Sequence, residues 1–492
     1  GFDLARLCAI EFEKQRHEGT IGMVLMNHGM FSFADDAKTA YERMIKLVSM
    51  AEDYIKAQNA WHLPVPDDMP DQIELRQEIA ELRLALSNTM EAPVVVRTQR
   101  DARTLAFAQH KEISRISQQG PATPDHVIRT KRLPLLGRDV EQYIANYKKY
   151  FDTHAPNARE PKTMLNPTPR VILDHRLGMA TVGRSTKEAQ IIADIYEHTM
   201  EIIQRAEKLG GWEALSAQDI FDMEYWDLEQ AKLRKAGNPP IFSGEIALVT
   251  GAASGIGKAC VDSMLKRGAA VIGIDINETI CHLYDRPDFL GIQCDVSDEA
   301  QLRSALEHGV RTFGGLDMLV LNAGIFPGGC RIDALDTDTW RNVMSVNLEA
   351  NLVLMREAHP LLKLAPKGGR VVVMGSKNVP APGPGAAAYS ASKAALTQLM
   401  RVAALEWGQD GIRLNELHPD AVFDTGIWTE EVLQARAKHY GLSVEQYKTK
   451  NVLKTEITSQ DVAELTAELC GPRFAKTTAA QIPMDGGNER VI

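Results

Sequence analysis

Tyr389 and Lys393 are four residues apart, a spacing that places a phenol and an ammonium on the same face of a helix. Ser376 lies thirteen residues before Tyr389, and the segment between them is rich in proline and glycine, which do not continue a helix. We therefore expect Ser376 to end a strand and the chain to return through a loop to Tyr389. Together, the hydroxyl, the phenol and the ammonium could act on one substrate oxygen.

The chemistry expected of this group is proton transfer. A phenol titrates near ~10 in water, and a neighbouring cation lowers its pKa. Lys393 would therefore make Tyr389 a proton-transfer group at neutral pH. A tyrosine followed four residues later by a lysine also arises by chance on amphipathic helices, so the chemical interpretation depends on the elements around the pair.

The second half of the chain alternates apolar strands with helical segments, a pattern typical of a doubly wound parallel sheet. We expect a Rossmann-type α/β fold over residues 243–492, a normal size for one such domain. Ser376 would then end one of its strands. The predicted strands cover residues 246–250, 270–274, 291–294, 318–321, 370–375, 413–418 and 481–484.

A glycine-rich turn joins the first of these strands to a helix. Gly251, Gly255 and Gly257 let the backbone approach a pyrophosphate closely, and the amino terminus of the helix faces the anion. Asp275, at the end of the second strand, can accept hydrogen bonds from a ribose 2′-hydroxyl and would repel a 2′-phosphate. The sequence therefore predicts a dinucleotide site that prefers NAD to NADP.

Taken in order, these motifs resemble the short-chain dehydrogenase/reductase family. The resemblance covers the chain from about residue 240 to 492 and implies hydride transfer between nicotinamide and a carbinol or carbonyl carbon. The motifs are T-G-x-x-x-G-I-G at 250–257, Asp295-Val296, N-A-G at 322–324, Asn347, Ser376 and Y-x-x-x-K at 389–393.

The resemblance also implies roles for single residues. Tyr389 exchanges a proton with the substrate oxygen, which Ser376 holds. Lys393 lowers the pKa of the phenol and binds the ribose, and Asn347 supports a water relay to Lys393. Asn347 equally fits a structural role at a helix bend. The implied cofactor contacts are Gly251, Ser254, Gly255, Ile256, Gly257, Asp275, Asp295, Val296, Asn322, Ala323, Gly324, Tyr389, Lys393, Pro419 and Thr425.

The sequence departs from the family pattern on the nicotinamide side. Where the family usually has P-G after its sixth strand, this chain has Pro419-Asp420. Thr425, the implied contact to the nicotinamide amide, comes one residue later than usual, and Leu321 replaces the more frequent Asn before N-A-G. These changes leave the reaction type unaltered but make the contacts on this side less well defined.

Composition describes an ordinary globular protein of 492 residues, long enough for several domains. A formal net charge of -10 argues against a nucleic-acid or membrane-surface partner. The six cysteines show no C-x-x-C spacing, which indicates reduced thiols and a cytoplasmic location. No run of about 18 apolar residues predicts a membrane span.

The first half carries a weak internal repeat. Units near residues 20–58 and 169–209 each read as a short strand, a turn with His and Gly, a second short strand and a long helix. His28 lies in the first turn and His175 in the second.

Other segments of this half are charged or rich in turn-forming residues. Residues 64–119 read as charged helices with solvated faces, broken near residues 94–96. Residues 120–134 read as a loop or short strand whose basic residues are either solvated or hold a phosphorylated substrate. Residues 237–242 predict a linker between a region at 1–236 and the domain at 243–492. The basic residues are His126, Arg129, Lys131 and Arg132.

The segment around the first turn resembles the C-terminal part of a class II aldolase/adducin domain, in which the His of N-H-G binds zinc. The whole chain is similar to bifunctional aldolase/short-chain dehydrogenases, some described as rhamnulose-1-phosphate aldolase/alcohol dehydrogenases. The resemblance implies a zinc ion in the intact aldolase domain, with His28 as a ligand. A catalytic zinc site needs about three protein ligands, and no H-x-H occurs among the thirteen histidines. We therefore expect a truncated aldolase region in which His28 is either a ligand or structural, and a degenerate second copy at His175.

Two function classes follow. The first is an NAD-dependent oxidoreductase for a small alcohol, hydroxyaldehyde or ketone, such as a product of sugar-phosphate cleavage. The second is a metal-dependent sugar-phosphate aldolase with a secondary dehydrogenase domain. We expect residues 427–453 to shape selectivity for a small-molecule substrate, and the resemblance implies a homo-oligomer.

Overall fold

The structure, a computed structural model, describes residues 2–26, 29–63, 73–227 and 238–488. Over these ranges the chain forms a two-stranded hairpin, a four-stranded mixed sheet and a seven-stranded parallel sheet. No helix within the described ranges has both the length and the apolar character needed to cross a membrane.

The hairpin lies between two helices at the start of the chain. Asp36 accepts a hydrogen bond from the Thr39 backbone N–H and begins the second helix. No residue of that helix is buried, so this unit adds little to the core. The elements are α1 (Phe2–Gln15), β1 (Gly22–Leu25), β2 (Gly29–Ser32) and α2 (Ala37–Ala57).

The four-stranded sheet follows, with strand order β3-β6-β5-β4. β5 and β6 form an antiparallel hairpin followed by the long helix α8, the same order as β1, β2 and α2. The elements are α3 (Arg76–Met90), β3 (Val95–Gln99), α4 (Ala102–Ala108), α5 (Ile113–Ile116), α6 (Val127–Thr130), β4 (Leu135–Leu136), α7 (Val140–His154), β5 (Val171–Asp174), β6 (Gly178–Gly183), α8 (Thr186–Lys208) and α9 (Ala217–Glu224).

One strand of this sheet corrects the helical interpretation of residues 64–119. Residues 94–96, which the sequence suggests as a break between helices, lead into β3, which pairs with β6. The physical reason is burial: the three valines at 94–96 are almost completely enclosed. A short apolar run enclosed on both faces forms a strand as readily as a helix turn, and tertiary pairing decides between them.

Residues 120–134 are also not a solvated loop. They include α6, and Lys131 is buried with its Nζ 3.2 Å from Glu224 Oε1 and 2.8 Å from the Tyr147 hydroxyl. The Arg132 guanidinium lies 5.2 Å from the centre of the Tyr150 ring. Burial lowers the pKa of Lys131, and the charge of Glu224 raises it. These two basic side chains therefore support the core of this region.

The seven-stranded sheet has the order β13-β12-β11-β10-β7-β8-β9, and every pairing is parallel. Each strand overlaps one that the sequence predicts, so the predicted Rossmann-type α/β fold class is confirmed. The strands are β7 (Ile246–Thr250), β8 (Ala270–Asp275), β9 (Phe289–Gln293), β10 (Met318–Leu321), β11 (Arg370–Met374), β12 (Arg413–Pro419) and β13 (Gln481–Met484).

Helices cover both faces of this sheet. Alternate residues of β7 show this, because Ile246 and Leu248 pack with α11, α13 and α14, whereas Ala247 and Val249 pack with α10 and α17. The helices are α10 (Gly255–Lys266), α11 (Glu299–Phe313), α12 (Thr337–Met344), α13 (Ala350–Leu362), α14 (Ala387–Trp407), α15 (Glu430–His439), α16 (Val444–Lys448) and α17 (Ser459–Cys470).

The two sheets are joined through a buried ion pair. Arg83 of α3, on a helix expected to be charged and solvated, is 1% exposed and donates to both carboxylate oxygens of Asp317, at 2.7 and 3.2 Å. Glu307 of α11 accepts hydrogen bonds from the backbone N–H groups of Leu75 and Arg76, at 3.0 and 3.1 Å. Helix α3 of the first half is therefore packed against the domain of the parallel sheet. The boundary at 237–242 stays a prediction, because its first residue lies outside the described ranges.

Candidate active site

Ser376 and Tyr389 meet at the carboxyl edge of the parallel sheet. Ser376 follows β11 by two residues, and Tyr389 lies in the first turn of α14. The segment between them folds as a loop, and the Ser376 side chain is hydrogen-bonded to Tyr389. Ser376 is buried and Tyr389 is partly buried in this contact. The hydroxyl and the phenol can therefore reach the same substrate oxygen.

The environment of the phenol differs from the sequence expectation. Burial raises the pKa of Tyr389, and the hydrogen bond with Ser376 lowers it less. Lys393 Nζ lies 5.9 Å from the centre of the phenol ring and donates to the Met374 carbonyl oxygen at 2.8 Å. The pKa of the phenol is therefore raised overall, contrary to the expected lowering, because desolvation of the phenol outweighs its hydrogen bond with Ser376.

Lys393 is itself buried one turn along the same helix. Burial lowers its pKa to about 8, and the charge of Glu416 raises it. A Cβ on Gly324 would lie 3.4 Å from Lys393 Nζ and 3.2 Å from Asn347 Oδ1, so the ammonium and the amide both flank this glycine. The structure thus brings Lys393, Asn347 and the N-A-G turn together.

Asn347 lies in a π-helical turn, Ser345–Glu349, between α12 and α13. Its Oδ1 accepts from the Ile325 N–H at 2.8 Å, and its Nδ2 donates to the Ile325 carbonyl at 3.0 Å and to Ser392 Oγ at 3.1 Å. These hydrogen bonds hold the chain at the helix bend, which is the structural role that the sequence also allowed for Asn347. The implied water relay from Asn347 to Lys393 stays a prediction.

The glycine turn has the geometry that a pyrophosphate needs. Gly251 and Gly255 have positive φ angles of 64° and 52°. A Cβ on Gly257 would lie 2.0 Å from the Gly251 carbonyl oxygen, so only glycine fits there. Ser254 precedes α10 without capping it through its side chain, which leaves the first N–H groups for an anion. Ile256 packs against the core behind this turn.

Asp275 lies beside this turn at the end of β8. Its Oδ2 accepts from the Ala253 N–H and its Oδ1 from the Asn277 N–H, both at 2.9 Å. These backbone donors hold the carboxylate at the carboxyl edge of the sheet, where a ribose would lie against the glycine turn. Asp295 and Val296 follow the neighbouring strand β9, and their contacts to adenine stay predictions.

The N-A-G turn is tied to the glycine turn by four hydrogen bonds. Thr250 Oγ1 accepts from the N–H groups of Asn322 and Ala323, both at 2.9 Å. Asn322 Nδ2 donates to the carbonyls of Thr250 and Gly251, at 2.9 and 3.2 Å. These bonds fix the N-A-G turn against the glycine turn, so the two turns form one continuous surface.

On the nicotinamide side, Thr425 lies over the glycine turn, since a Cβ on Gly255 would be 3.3 Å from Thr425 Cγ2. Pro419 ends β12, and Asp420 after it is buried and ion-paired with Lys377 at 3.1 Å. Asp420, the departure from the family pattern, therefore places a carboxylate beside Lys377, which directly follows Ser376 in the chain. The sequence marks Asp420 as unusual but does not indicate that Lys377 is its partner.

A cavity of about 220 Å³ opens beside Tyr389. It is lined by residues 326–330 and 385–389 with Leu335, Asp336 and Thr339. The Phe326 ring meets the Tyr389 ring edge to face, with 5.4 Å between centroids. None of the residues lining this cavity comes from 427–453, the segment expected to shape selectivity. In the sequence, Gly328 and Gly329, shortly after N-A-G, are the feature that could have indicated that residues 326–330 line this cavity.

The aldolase-like region gives no metal site over the described residues, where no three His, Cys, Asp or Glu side chains group to hold a metal ion. His28 lies outside the described residues, so its role as a ligand stays a prediction. His175 is exposed in the turn between β5 and β6, where its carbonyl accepts from Gln109 at 2.8 Å.

Comparison with known proteins finds two families along the chain. The family model described as short chain dehydrogenase matches residues 245–435, and the one described as aldolase class II, second domain, matches residues 74–233. The uncharacterized oxidoreductase YuxG of Bacillus subtilis is 30% identical over 99% of this chain and 75% of its own length.

Two further proteins resemble the second half. An uncharacterized NAD-dependent oxidoreductase of Mycobacterium tuberculosis is 30% identical over 50% of this chain and 95% of its own length. The crystal structure of a 3-ketoacyl-(acyl-carrier-protein) reductase from Brucella melitensis, complexed with NADH, has a TM-score of 0.45 and 24% identity. It covers 50% of this chain and 98% of its own.

Proposed function

The chain belongs to the short-chain dehydrogenase family, here joined to a class II aldolase second domain, and we propose that it uses NAD to oxidise or reduce a small molecule. The substrate in this proposal is a small alcohol, hydroxyaldehyde or ketone. The observation that carries it is the contact between Ser376 and Tyr389, one helical turn from Lys393 and at the same carboxyl edge of the sheet as the glycine turn.

In the proposed mechanism Tyr389 exchanges the proton of the substrate oxygen. Ser376 holds that oxygen through its hydroxyl, and the buried Lys393 ammonium stabilises the phenolate. Asn347 fixes the chain at Ile325 next to both groups. Bound NAD supplies the acceptor or donor of the hydride, and Gly251, Gly255, Gly257 and Asp275 fit its pyrophosphate and ribose.

Preference for NAD over NADP is part of the same proposal. The Asp275 carboxylate is held by two backbone N–H groups beside the glycine turn, so it can bind a ribose 2′-hydroxyl. A 2′-phosphate there would meet a like charge. The NAD-dependent relative in Mycobacterium tuberculosis supports the same choice.

The substrate class rests on two features. The cavity beside Tyr389, about 220 Å³, is of a size for a small molecule. The aldolase second domain in the same chain supports a product of sugar-phosphate cleavage as the compound that is oxidised or reduced. The Ser376, Tyr389 and Lys393 side chains at the sheet edge support the oxidoreductase over the alternative of a metal-dependent aldolase.

We also propose a homo-oligomer formed through α13 and α14. Leu405 and Val402 on α14 are 83% and 50% exposed, and Leu352 on α13 is 47% exposed. Large apolar side chains exposed along neighbouring helices support an interface between subunits. The cytoplasmic location suggested by the six cysteines stays a prediction.

The function is tested by a screen of alcohols and hydroxyaldehydes with NAD, with reduction of NAD followed by absorbance. We expect turnover with at least one compound and no effect of a zinc chelator. Failure with the whole panel, together with metal-dependent cleavage of a sugar phosphate, would favour the lyase.

A further inference from the structure

A carboxyl group is buried in the sheet behind the proposed catalytic lysine. Glu416 lies in β12 and is completely enclosed. Its Oε1 accepts a hydrogen bond from Thr397 Oγ1 at 2.8 Å, and its Oε2 has no hydrogen-bond partner in the described part of the chain. Thr397 is one helical turn after Lys393 on α14, so the carboxyl faces the strip of helix that carries the ammonium.

His418 lies two residues further along the strand and therefore on the same face as Glu416. Its Nε2 is 3.9 Å from Glu416 Oε2, and its Nδ1 is 2.9 Å from the Ser376 carbonyl oxygen. A Cβ on Gly375 would lie 2.4 Å from Glu416 Oε1 and 2.8 Å from His418 Nδ1. The glycine at 375 is thus what leaves room for these two side chains behind Ser376.

The titratable groups on the elements around Glu416 are few. Lys393 comes from α14, and His418 from β12 itself. On β13 the residue opposite Glu416 is Gln481, which carries no charge. Lys393 is the cation whose charge acts on Glu416.

Each of the two groups favours the charged form of the other. Burial raises the pKa of Glu416 to about 7, and the charge of Lys393 lowers it. Burial likewise lowers the pKa of Lys393 to about 8, and the charge of Glu416 raises it. Burial lowers the pKa of His418, which keeps the imidazole neutral near pH 7. A neutral glutamine would fill the same volume, so packing alone does not account for a carboxyl here.

From this arrangement we propose that Glu416 is a positioning residue for the hydride-transfer reaction. Its carboxylate compensates the charge of Lys393 and so keeps the lysine as an ammonium next to Tyr389. The inference rests on the proposed function for its catalytic consequence, but the coupling between the two side chains can be measured without turnover.

The first test is a double-mutant cycle read by thermal unfolding at pH 8 with wild type, Glu416→Gln, Lys393→Met and the double variant. We expect Glu416→Gln to affect Tm less favourably when Lys393 is present than when it is absent, because with Lys393 present it also removes the charge that compensates the ammonium. In the Lys393→Met background it should raise Tm, because it removes a lone buried carboxylate. The same change in both backgrounds would overturn the proposal.

Glu245→Gln is the matched control for this cycle. Glu245 is also buried, but it precedes β7 at the opposite end of the sheet and pairs with Arg370 and Lys367. Its replacement should change Tm equally with and without the Lys393→Met substitution. A coupling as large as that of Glu416 would mean that the cycle reports general destabilisation, and it would also overturn the proposal.

The second test is the pH profile of turnover. Without the carboxylate, Lys393 loses its proton more readily, so the pH above which turnover falls should move down by at least about one unit in Glu416→Gln. Glu416→Asp should restore the wild-type limit. A uniform loss of turnover with an unchanged profile would show a purely structural role and overturn the proposal.

The two readouts separate this inference from the proposed function. Wild type that reduces NAD with no compound would refute the function, while the unfolding cycle would still decide whether Glu416 and Lys393 are coupled. If the wild type reduces NAD with a compound but the unfolding cycle is additive, only the role of Glu416 would be refuted.

Discussion

The Tyr389 phenol is governed by burial more than by the ammonium one turn away. Its pKa is raised, with desolvation as the main cause and the hydrogen bond with Ser376 acting against it. Lys393, also buried, has its pKa lowered to about 8. Proton transfer at this site therefore depends on two groups whose charged forms are both disfavoured by their surroundings.

This environment predicts different pH dependences for the two directions of reaction. Oxidation of an alcohol needs the Tyr389 phenolate as proton acceptor, so a raised pKa means that the rate increases with pH across the neutral range. Reduction of a carbonyl needs the protonated phenol, which predominates well below the raised pKa, so its rate should stay nearly constant across the neutral range. Steady-state kcat/KM, measured for both directions across the neutral range, tests this. Oxidation that is fastest at acidic pH would contradict it.

Asp275 predicts the choice of cofactor. Asp275→Asn removes a charged acceptor for the ribose hydroxyl, which is worth about 1.5–3 kcal/mol, so NAD should bind roughly ten- to a hundredfold more weakly. Binding of NADP should be weakened less or improved, because the like charge is gone. Fluorescence titration with both cofactors measures the change.

Asp338→Asn is the control, since that carboxylate is 97% exposed on α12 and remote from the glycine turn. It should leave both affinities unchanged. If Asp275→Asn leaves the ratio of NAD to NADP affinity at the wild-type value, the role of Asp275 is wrong.

The residues predictable from the sequence are those whose spacing is local, whereas residues with distant partners leave no such signal. Tyr389 and Lys393 share a helix face, which four residues of sequence define. The sequence predicts that Lys131 is either solvated or holds a phosphorylated substrate. In the structure it is buried and pairs with Glu224, more than ninety residues away. Glu416 was missed because nothing in its own strand indicates that Lys393 faces it.

At the scale of elements, the turn from β7 to α10 is packed too tightly to accept a side chain at Gly257. A Cβ on Gly257 would lie 2.0 Å from the Gly251 carbonyl oxygen and 2.6 Å from Asn322 Nδ2. Gly257→Ala should therefore lower the free energy of unfolding by about 1–3 kcal/mol and weaken NAD binding. Urea unfolding and cofactor titration measure the two effects.

Gly408→Ala is the matched control. Gly408 has a helical φ of -57°, and a Cβ there would meet nothing within 4 Å. Stability and NAD affinity should both stay at wild-type values. Gly257→Ala with unchanged stability and affinity would show that the tight turn is not needed.

The parallel strands were predictable because strands covered on both faces are continuous apolar runs bounded by turns. The strand β3 was not, since its apolar run is short and lies between charged segments. Its conformation is decided by pairing with β6, some 80 residues later. Such non-local pairing leaves little trace in the strand's own sequence.

At the scale of the whole molecule, the contact between the two sheets depends on Arg83 and Asp317, whose side chains are 1% and 0% exposed. Arg83→Met leaves the Asp317 carboxylate buried without its cation. We expect the free energy of unfolding to fall by about 3–5 kcal/mol. Urea unfolding followed by circular dichroism measures the loss.

Lys38→Ala provides the comparison, because Lys38 and Glu42 are 85% and 62% exposed at 3.9 Å. Removing this surface pair should change the unfolding free energy by less than about 1 kcal/mol. Equal effects of the two substitutions would mean that the buried ion pair does not hold the sheets together.

The central claim is that Tyr389 transfers the proton while NAD exchanges the hydride, and Tyr389→Phe tests it most directly. The variant keeps the ring and its edge-to-face contact with Phe326 but lacks the hydroxyl. With the compound that wild type oxidises best, we predict a turnover at least ~100-fold lower and an unchanged Kd for NAD. Near-normal turnover by Tyr389→Phe would contradict the account.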